Sequence, residues 1–416
     1  MRPFPMLALL AACGTPEIDR APVSDDTRAA IEQVNSFGMR FATTLRDAQP
    51  NGAADNFVYS PLSISVPLAM IYAGARSTTA DELRAVLGQE MDDDAYQDGF
   101  GAAVRDLADA GTQFPDRVWE LRVSNHLYGE ATYTFEPDWL ALLEDTWQAP
   151  LVQTDFFGNS AGAQAVINAQ IAADTDGHID DLLPPGALDA TTKLVAVNAL
   201  YFSGKWETAF EVDRTEDADF TLLDGSVIRV PTMNATVPGK AGCDAVVCVG
   251  ELPYIGGQIV LDLLVPVAPD GLAALEDAIV ADGLDSLLGS LQPVEELIVS
   301  LPRMDLTTDT DLEAPLTALG MPSAFDQVVA DFSGISPLAL AEPRLHVDRA
   351  LHRTWVHIDE EGTKAAAATA ITLAQNYSLE ATTQIIADHP FLLLIRDTVT
   401  GAVLFVGHVA DPSLAE

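Results

Sequence analysis

Lysine is scarce in this chain, with four residues in 416, at positions 193, 205, 240 and 364. Seventeen arginines bring the basic total to 21 against 62 acidic residues, a formal net charge of −41 and a pI near 4.1. A body of that sign repels phosphate backbones and anionic lipid surfaces, which excludes nucleic-acid binding. No basic cluster marks a site for a heparin-like activator. Three cysteines are too few for a small disulfide-built scaffold. The seven histidines form no i, i+4 pair around a glutamate and sit beside no cysteine cluster, so no metal site is indicated. Beyond the N-terminus no apolar run reaches the 18 or so residues of a membrane span. No period repeats, and no Pro- or Ser-rich linker divides the chain after residue 27. What is present is globular: 48% hydrophobic residues with 28 Gly and 25 Pro. Few lysines and many carboxylates suit salty water, where screening removes most of the self-repulsion.

The chain begins Met-Arg-Pro-Phe-Pro-Met-Leu-Ala-Leu-Leu-Ala-Ala-Cys. One positive charge, a short apolar run and small residues before a cut read as a secretory signal over 1–12. Leu10-Ala11-Ala12-Cys13 resembles a bacterial lipobox, with Cys13 as the lipidated residue. That predicts an extracellular or periplasmic protein held at the outer membrane through Cys13, with residues 13–27 as a tether. Cys243 and Cys248 lie in Gly-Cys-Asp-Ala-Val-Val-Cys. Five residues of extended chain would set them about 16 Å apart on opposite faces. A disulfide therefore needs a turn or bulge, and a bridge and two buried thiols both stay open.

Apolar positions at helical spacing (Ile31, Val34, Phe37, Phe41, Leu45) predict an opening amphipathic helix. A small-residue helix should follow Pro61, and Thr79 to Gly88 carries start and stop signals. Strands are expected at 118–128, 150–157, 193–202, 226–233, 258–266, 294–301, 353–358, 391–396 and 402–409, with helices at 136–147, 161–173 and 271–289. Strands and helices without strict alternation predict one α+β domain over 28–413.

Gly158-Asn159-Ser160-Ala161-Gly162 matches the nucleophile-elbow pattern, but no oxyanion loop precedes it and the alternating β-α-β order of that fold is missing. The informative segment comes later. Between Gly362 and Pro390 lie 27 residues without Pro or Gly, long for a connection. It opens Thr363-Lys364-Ala365-Ala366-Ala367-Ala368-Thr369-Ala370-Ile371-Thr372-Leu373. As a helix this is an alanine-rich run. As a strand it has one face (363, 365, 367, 369, 371, 373) with no charge, fit for the middle of a sheet.

Glu360-Glu361-Gly362-Thr363-Lys364-Ala365-Ala366-Ala367-Ala368-Thr369 resembles the hinge of the inhibitory serpins. Asn56-Phe57-Val58-Tyr59-Ser60-Pro61-Leu62-Ser63-Ile64, Asn198 through Trp206, and His389 through Arg396 with Leu404 to Gly407 resemble further serpin signatures, in the family's order. The resemblance implies the serpin fold: a single α+β domain with a large central mixed sheet, further sheets, eight to nine helices and a reactive loop over 362–389. It implies a suicide-substrate inhibitor of serine, or cysteine, proteases. Such a protein is a monomer and not an enzyme, with no catalytic residue, metal or cofactor. By resemblance Ser60, Ser63, Asn198 and His352 match the shutter beneath the sheet, Trp206 the breach where insertion starts, and Glu360, Gly362, Thr363 and Ala365–Ala368 the hinge. Lys364 departs from the family, which usually carries an acid there. The loop is about three residues longer than usual, so counting from its two ends gives Asn376-Tyr377 or Leu379-Glu380 as the scissile bond. Tyr377-Ser378 lies between and is preferred, with Asn376 and Leu379 as alternatives, which implies chymotrypsin-like targets. The rival reading is a non-inhibitory serpin, a binding or structural protein, against which the alanine run argues.

Overall fold

The computed structural model describes residues 20–112, 119–363 and 383–414. In chain order its elements are α1 (Asp25–Ala48), β1 (Phe57–Tyr59), α2 (Pro61–Gly74), α3 (Ser77–Leu87), α4 (Asp93–Thr112), β2 (Trp119–Glu130), α5 (Pro137–Asp145), β3 (Leu151–Thr154), α6 (Phe156–Asp174) and β4 (Leu194–Lys205). There follow β5 (Glu216–Thr221), β6 (Val227–Cys243), β7 (Val247–Pro253), β8 (Ile259–Pro266), α7 (Leu272–Asp282), α8 (Leu284–Leu288), β9 (Gln292–Pro302), β10 (Met304–Asp311) and α9 (Glu313–Leu319). Last come β11 (Leu351–Ile358), β12 (Gly362–Thr363), β13 (Gln384–Ile386), β14 (Phe391–Asp397) and β15 (Val403–Val409).

The largest sheet has nine strands, in the order β1-β15-β14-β8-β7-β6-β9-β13 with β5 on β6. It is mixed because β13 runs parallel to β9. Every residue of β8 and β15 is buried, as expected of apolar runs covered on both faces. Among the described residues a second layer is divided: β12-β4-β2-β3 form one sheet and β10-β11 another, and β4 and β11 are not paired. Beneath it runs α2, apolar all round, and above it α6 closes a separate cluster of Tyr128, Ile167, Ile171, Ile179, Leu183 and Val197. Ser24 caps α1 by accepting from the Thr27 amide at 3.1 Å, and Asp25 and Asp26 favour its positive end.

Several expectations are corrected. The strand begun at 226 runs on to Cys243, and the helix expected over 271–289 is two, broken at Gly283, whose φ is 83°. The helix expected from Thr79 starts at Ser77, while Gly88 ends it in the left-handed region as expected. Helix α4 and strands β5, β7 and β10 carried no periodic signal strong enough to be read. The stretch taken as a tether is already docked at Arg20, whose buried side chain pairs with Asp397 at 2.6 Å and with Asp106. Within the span expected as the reactive loop, Gly362–Thr363 and Gln384–Ile386 are strands. Cys243 and Cys248 are disulfide-bonded across a tight hairpin, because Asp244 accepts from the amides of Val246 and Val247 and turns the chain. Cys13 and residues 364–382 lie outside the described residues.

Leu393, at the centre of β14 between β8 and β15, is fully buried. Leu393→Ala is expected to cost about 2–5 kcal/mol through lost transfer energy and the cavity left behind. Chemical denaturation of the two proteins checks it.

Candidate functional site: a slot between two strand edges

The chain leaves β11, turns through Glu360 and Glu361, and comes back as β12 against β4. Gly362 pairs with Lys205 and Thr363 with Gly204, antiparallel. The Asp359 amide donates to the Gly362 carbonyl at 2.9 Å, closing the turn. The Asp359 carboxylate accepts from the amides of Glu361 and Gly362. Burial alone would raise this carboxyl, but the hydrogen bonds from His357 and the two amides hold it below its ordinary range. Gly362 has φ 152°, and a Cβ there would fall 2.0 Å from the Gly204 carbonyl oxygen, so only glycine fits.

Trp206 fixes this corner. Its indole donates to the Asp359 carbonyl at 2.9 Å, its amide to the Glu361 carbonyl at 3.0 Å, and its ring stacks on Tyr254 with centroids 4.5 Å apart. Glu360 is buried, accepting the Thr215 hydroxyl at 2.6 Å and, through its carbonyl, the Phe210 amide. The Thr363 side chain points inward and lies 2.7 Å from the Tyr254 hydroxyl. The last described residues before 364 therefore stand at the mouth of the gap between β4 and β11.

Lower in the gap the β11 edge is tied from below. The Ser60 amide donates to His352 Nε2 at 3.1 Å, the Thr354 hydroxyl lies 2.5 Å from the same nitrogen, and Ser60 Oγ caps α2 by accepting from the Ser63 amide. A nitrogen that accepts an amide hydrogen carries no proton, so His352 is the neutral tautomer with its hydrogen on Nδ1. Burial pushes this imidazole down to about 4, and the charge of Asp309 offsets only part of that. Beside it a cavity of about 130 Å³ is lined by Ile64, Leu68, Leu194, Val197, Leu316 and Phe332 among others.

Of the residues singled out in the sequence, the structure brings Ser60, Ser63 and His352 into one cluster, and Trp206, Glu360, Gly362 and Thr363 into another. Asn198 lies on β4 opposite Asn125, and its side chain is outside the described residues. Ala365–Ala368, Asn376, Tyr377, Ser378 and Leu379 are outside them too. Ser160 lies within α6, whose flanking glycine amides donate to Asp155 and Asn159, so that pattern serves helix capping and a kink at Asn159. Tyr254, Thr354 and Asp359 were not singled out. Tyr254 meets Thr363 across 109 residues, a distance no local pattern reports; Thr354 could have been noticed as the inward neighbour of His352 at strand spacing.

The family model for serpins, serine protease inhibitors, matches residues 32–412. The chain belongs to the serpin family. It is 32% identical to Serpin-Z7 of Hordeum vulgare over 94% of this chain and 99% of that one. It is 33% identical to the leukocyte elastase inhibitor of Bos taurus over 92% of this chain and all of that one. Among solved structures, uncleaved ovalbumin superposes with a TM-score of 0.77 at 25% identity, covering 94% of this chain and all of that one. The Arabidopsis serpin in its native stressed conformation gives 0.76 at 28%, with the same coverage. Serpins are in general protease inhibitors rather than enzymes, and relatives named as inhibitors support protease inhibition, with a protease as partner, for this serpin in general terms.

The folded state holds His352 neutral, so the unfolded chain binds more protons between about 6.5 and 4, and stability falls as pH falls through that window. The full loss is about 3 kcal/mol. Below about pH 4 both states are protonated and no more is lost through this group. His352→Gln is expected to remove this part of the acid loss, as read from denaturation midpoints at pH 7, 5.5 and 4.

Proposed function

We propose that this serpin is an inhibitory one, a suicide substrate that traps a serine-type, or alternatively a cysteine, protease by inserting its cleaved loop between β4 and β11. The observation that carries the reading is the slot itself: β4 and β11 lie in one layer and do not pair with each other among the described residues, and Gly362–Thr363 are already hydrogen-bonded to β4 at its mouth. Serpin loop insertion is a known instance of strand addition to a sheet. The protease attacks the carbonyl of the bait residue, forms an acyl-enzyme and releases the leaving segment. The freed strand then follows the register of β12.

That register is informative. Thr363 opposite Gly204 sets Ala365 opposite Phe202, Ile371 opposite Ala196 and Leu373 opposite Leu194, the first residue of β4. Odd-numbered residues face inward with Thr363. The small ones arrive beneath the mouth, and Ile371 and Leu373 arrive at the cavity lined by Leu194 and Val197. Each new backbone hydrogen bond contributes only ~1 kcal/mol net, so many of them plus burial of these two side chains are needed. About fourteen residues at ~3.3 Å carry the tethered protease some 45 Å. A native state in which this strand has not yet inserted is then kinetically trapped. Lys364 is even-numbered and would face outward once inserted, so its departure from the family pattern is expected to do little harm.

The bait is Tyr377, cut before Ser378, which gives a chymotrypsin-like target; Asn376 and Leu379 are the neighbouring candidates. The inhibitor acts as a monomer outside the cytoplasm, anchored through Cys13, and the Cys243–Cys248 bridge supports an oxidising compartment.

Two measurements check this. Mass spectrometry of the fragment released by chymotrypsin is expected to begin at Ser378, and an SDS-stable complex is expected alongside it. Thr363→Arg buries a charge at the first inserting position and is expected to turn inhibitor into substrate; an undiminished yield of stable complex would refute insertion from this hinge, and a chain that gains no thermal stability on cleavage would be a non-inhibitory serpin.

A further inference from the structure

The turn at the mouth of the slot hangs on one carboxylate, and that carboxylate has a neighbour able to change its charge. Asp359 Oδ1 accepts from the amides of Glu361 at 2.9 Å and Gly362 at 3.1 Å, which shapes the return of the chain from β11 to β4. The second oxygen, Oδ2, lies 3.4 Å from Nε2 of His357. Two residues apart on an extended chain, these side chains leave the same face. His357 Nδ1 lies 3.3 Å from Oδ2 of Asp305, the residue paired with it on β10. All three side chains are half-buried.

A carboxylate oxygen only accepts, and the ring meets one at each nitrogen. Only the imidazolium, with a hydrogen on both nitrogens, can donate to both; a neutral ring leaves one carboxylate facing a lone pair. The bond to Asp359 and the charge of Asp305 accordingly hold His357 above its ordinary range, against the effect of burial. Asp305 from β10 and Asp359 from the turn are the charges that face the ring. On its own strand Trp355 stacks beside it at 5.9 Å, with His178 from the turn after α6 on that indole at 4.0 Å. Arg353 is held by Asp309, and Glu360 by Thr215. Glu361 in the turn and Lys205 of β4, paired with Gly362, are the next charges along.

We propose that His357 is a positioning residue for the hinge: its protonated ring bridges Asp305 and Asp359, holds the turn from which the freed strand would continue, and makes insertion more efficient at acid than at alkaline pH. The native turn alone carries the first part; the second rests on the insertion reading. The sign follows from the direction in which the ring is shifted. Its charge, and its support for the turn, are complete below about pH 6.5 and are lost as pH rises through the raised value. Half-exposed pairs act weakly, so the effect is about threefold. His352 acts on global stability in the opposite sense, so each variant is compared with the wild type at the same pH.

The test is hydrogen exchange in the intact full chain between pH 6 and 8.5, read as protection factors of the Glu361 and Gly362 amides, beside the yield of SDS-stable complex with chymotrypsin. In the wild type, protection of both amides is expected to fall about threefold as pH rises. His357→Gln should be flat at the alkaline limit of the wild type. Asp359→Asn keeps an acceptor for the two amides but no charge for His357, and should be flat as well. Asp305→Asn removes one of the two carboxylates and should move the midpoint to lower pH, which a merely structural histidine would not do. The complex yield, as the ratio of wild type to His357→Gln, should follow the same curve. Protection that does not titrate in the wild type, or titrates unchanged in His357→Gln, overturns the positioning role. Protection that titrates beside a flat yield ratio overturns the effect on insertion and leaves the turn as described. A wild type that forms no stable complex at any pH overturns the insertion reading itself, and the exchange data still decide what His357 does for the turn.

Discussion

The structure turns on two strand edges, β4 and β11, that do not pair with each other among the described residues. A backbone N–H or C=O without a partner is costly once water is excluded, and an open edge invites another strand. Here β4 and β11 stand in one layer, and among the described residues the chain enters between them as Gly362–Thr363. What surrounds the gap serves to hold that arrangement. Trp206 and Tyr254 clamp the corner where the chain doubles back, His352 ties β11 to the cap of α2, and the ring of His178 stands between Tyr201 and Trp355. None of these bonds is strong alone. Together they keep a polar edge waiting for a segment whose alternate residues carry no charge.

The sequence was legible where chemistry is local. An alanine run after Glu-Glu-Gly, the Asn-Phe-Val-Tyr-Ser-Pro start and the Asn198–Trp206 signature each sit within a dozen residues, and they led to the right family. Long, strongly periodic elements such as α1 and β14 were readable for the same reason. The rest was hidden by distance in the chain. That the sheet is divided follows from β10 pairing with β11 and β12 with β4, none of it visible as a pattern. Tyr254 meeting Thr363 and Arg20 docking on Asp397 join residues more than a hundred positions apart. The disulfide was undecided because its turn depends on the Asp244 side chain, which spacing alone does not reveal.

Charge and function occupy different parts of the molecule. The formal −41 of the whole chain disfavours nucleic acids and heparin-like polyanions as partners. In contrast, the inward face of the segment proposed to enter the slot bears no ionisable group, and where the structure buries ions it pairs them, as Arg396 with Asp262 and Glu251. Two of the four lysines, 205 and 364, lie one on each side of the hinge.

Hydrogen exchange along residues 194–205 and 351–358, before and after a single cut in the reactive loop, tests the central claim most directly. Amides on the facing edges of β4 and β11 should exchange fast in the intact protein and become strongly protected after the cut, as a new strand takes them up. Unchanged exchange on both edges would contradict the account, because it would mean that the slot is either already closed or never filled.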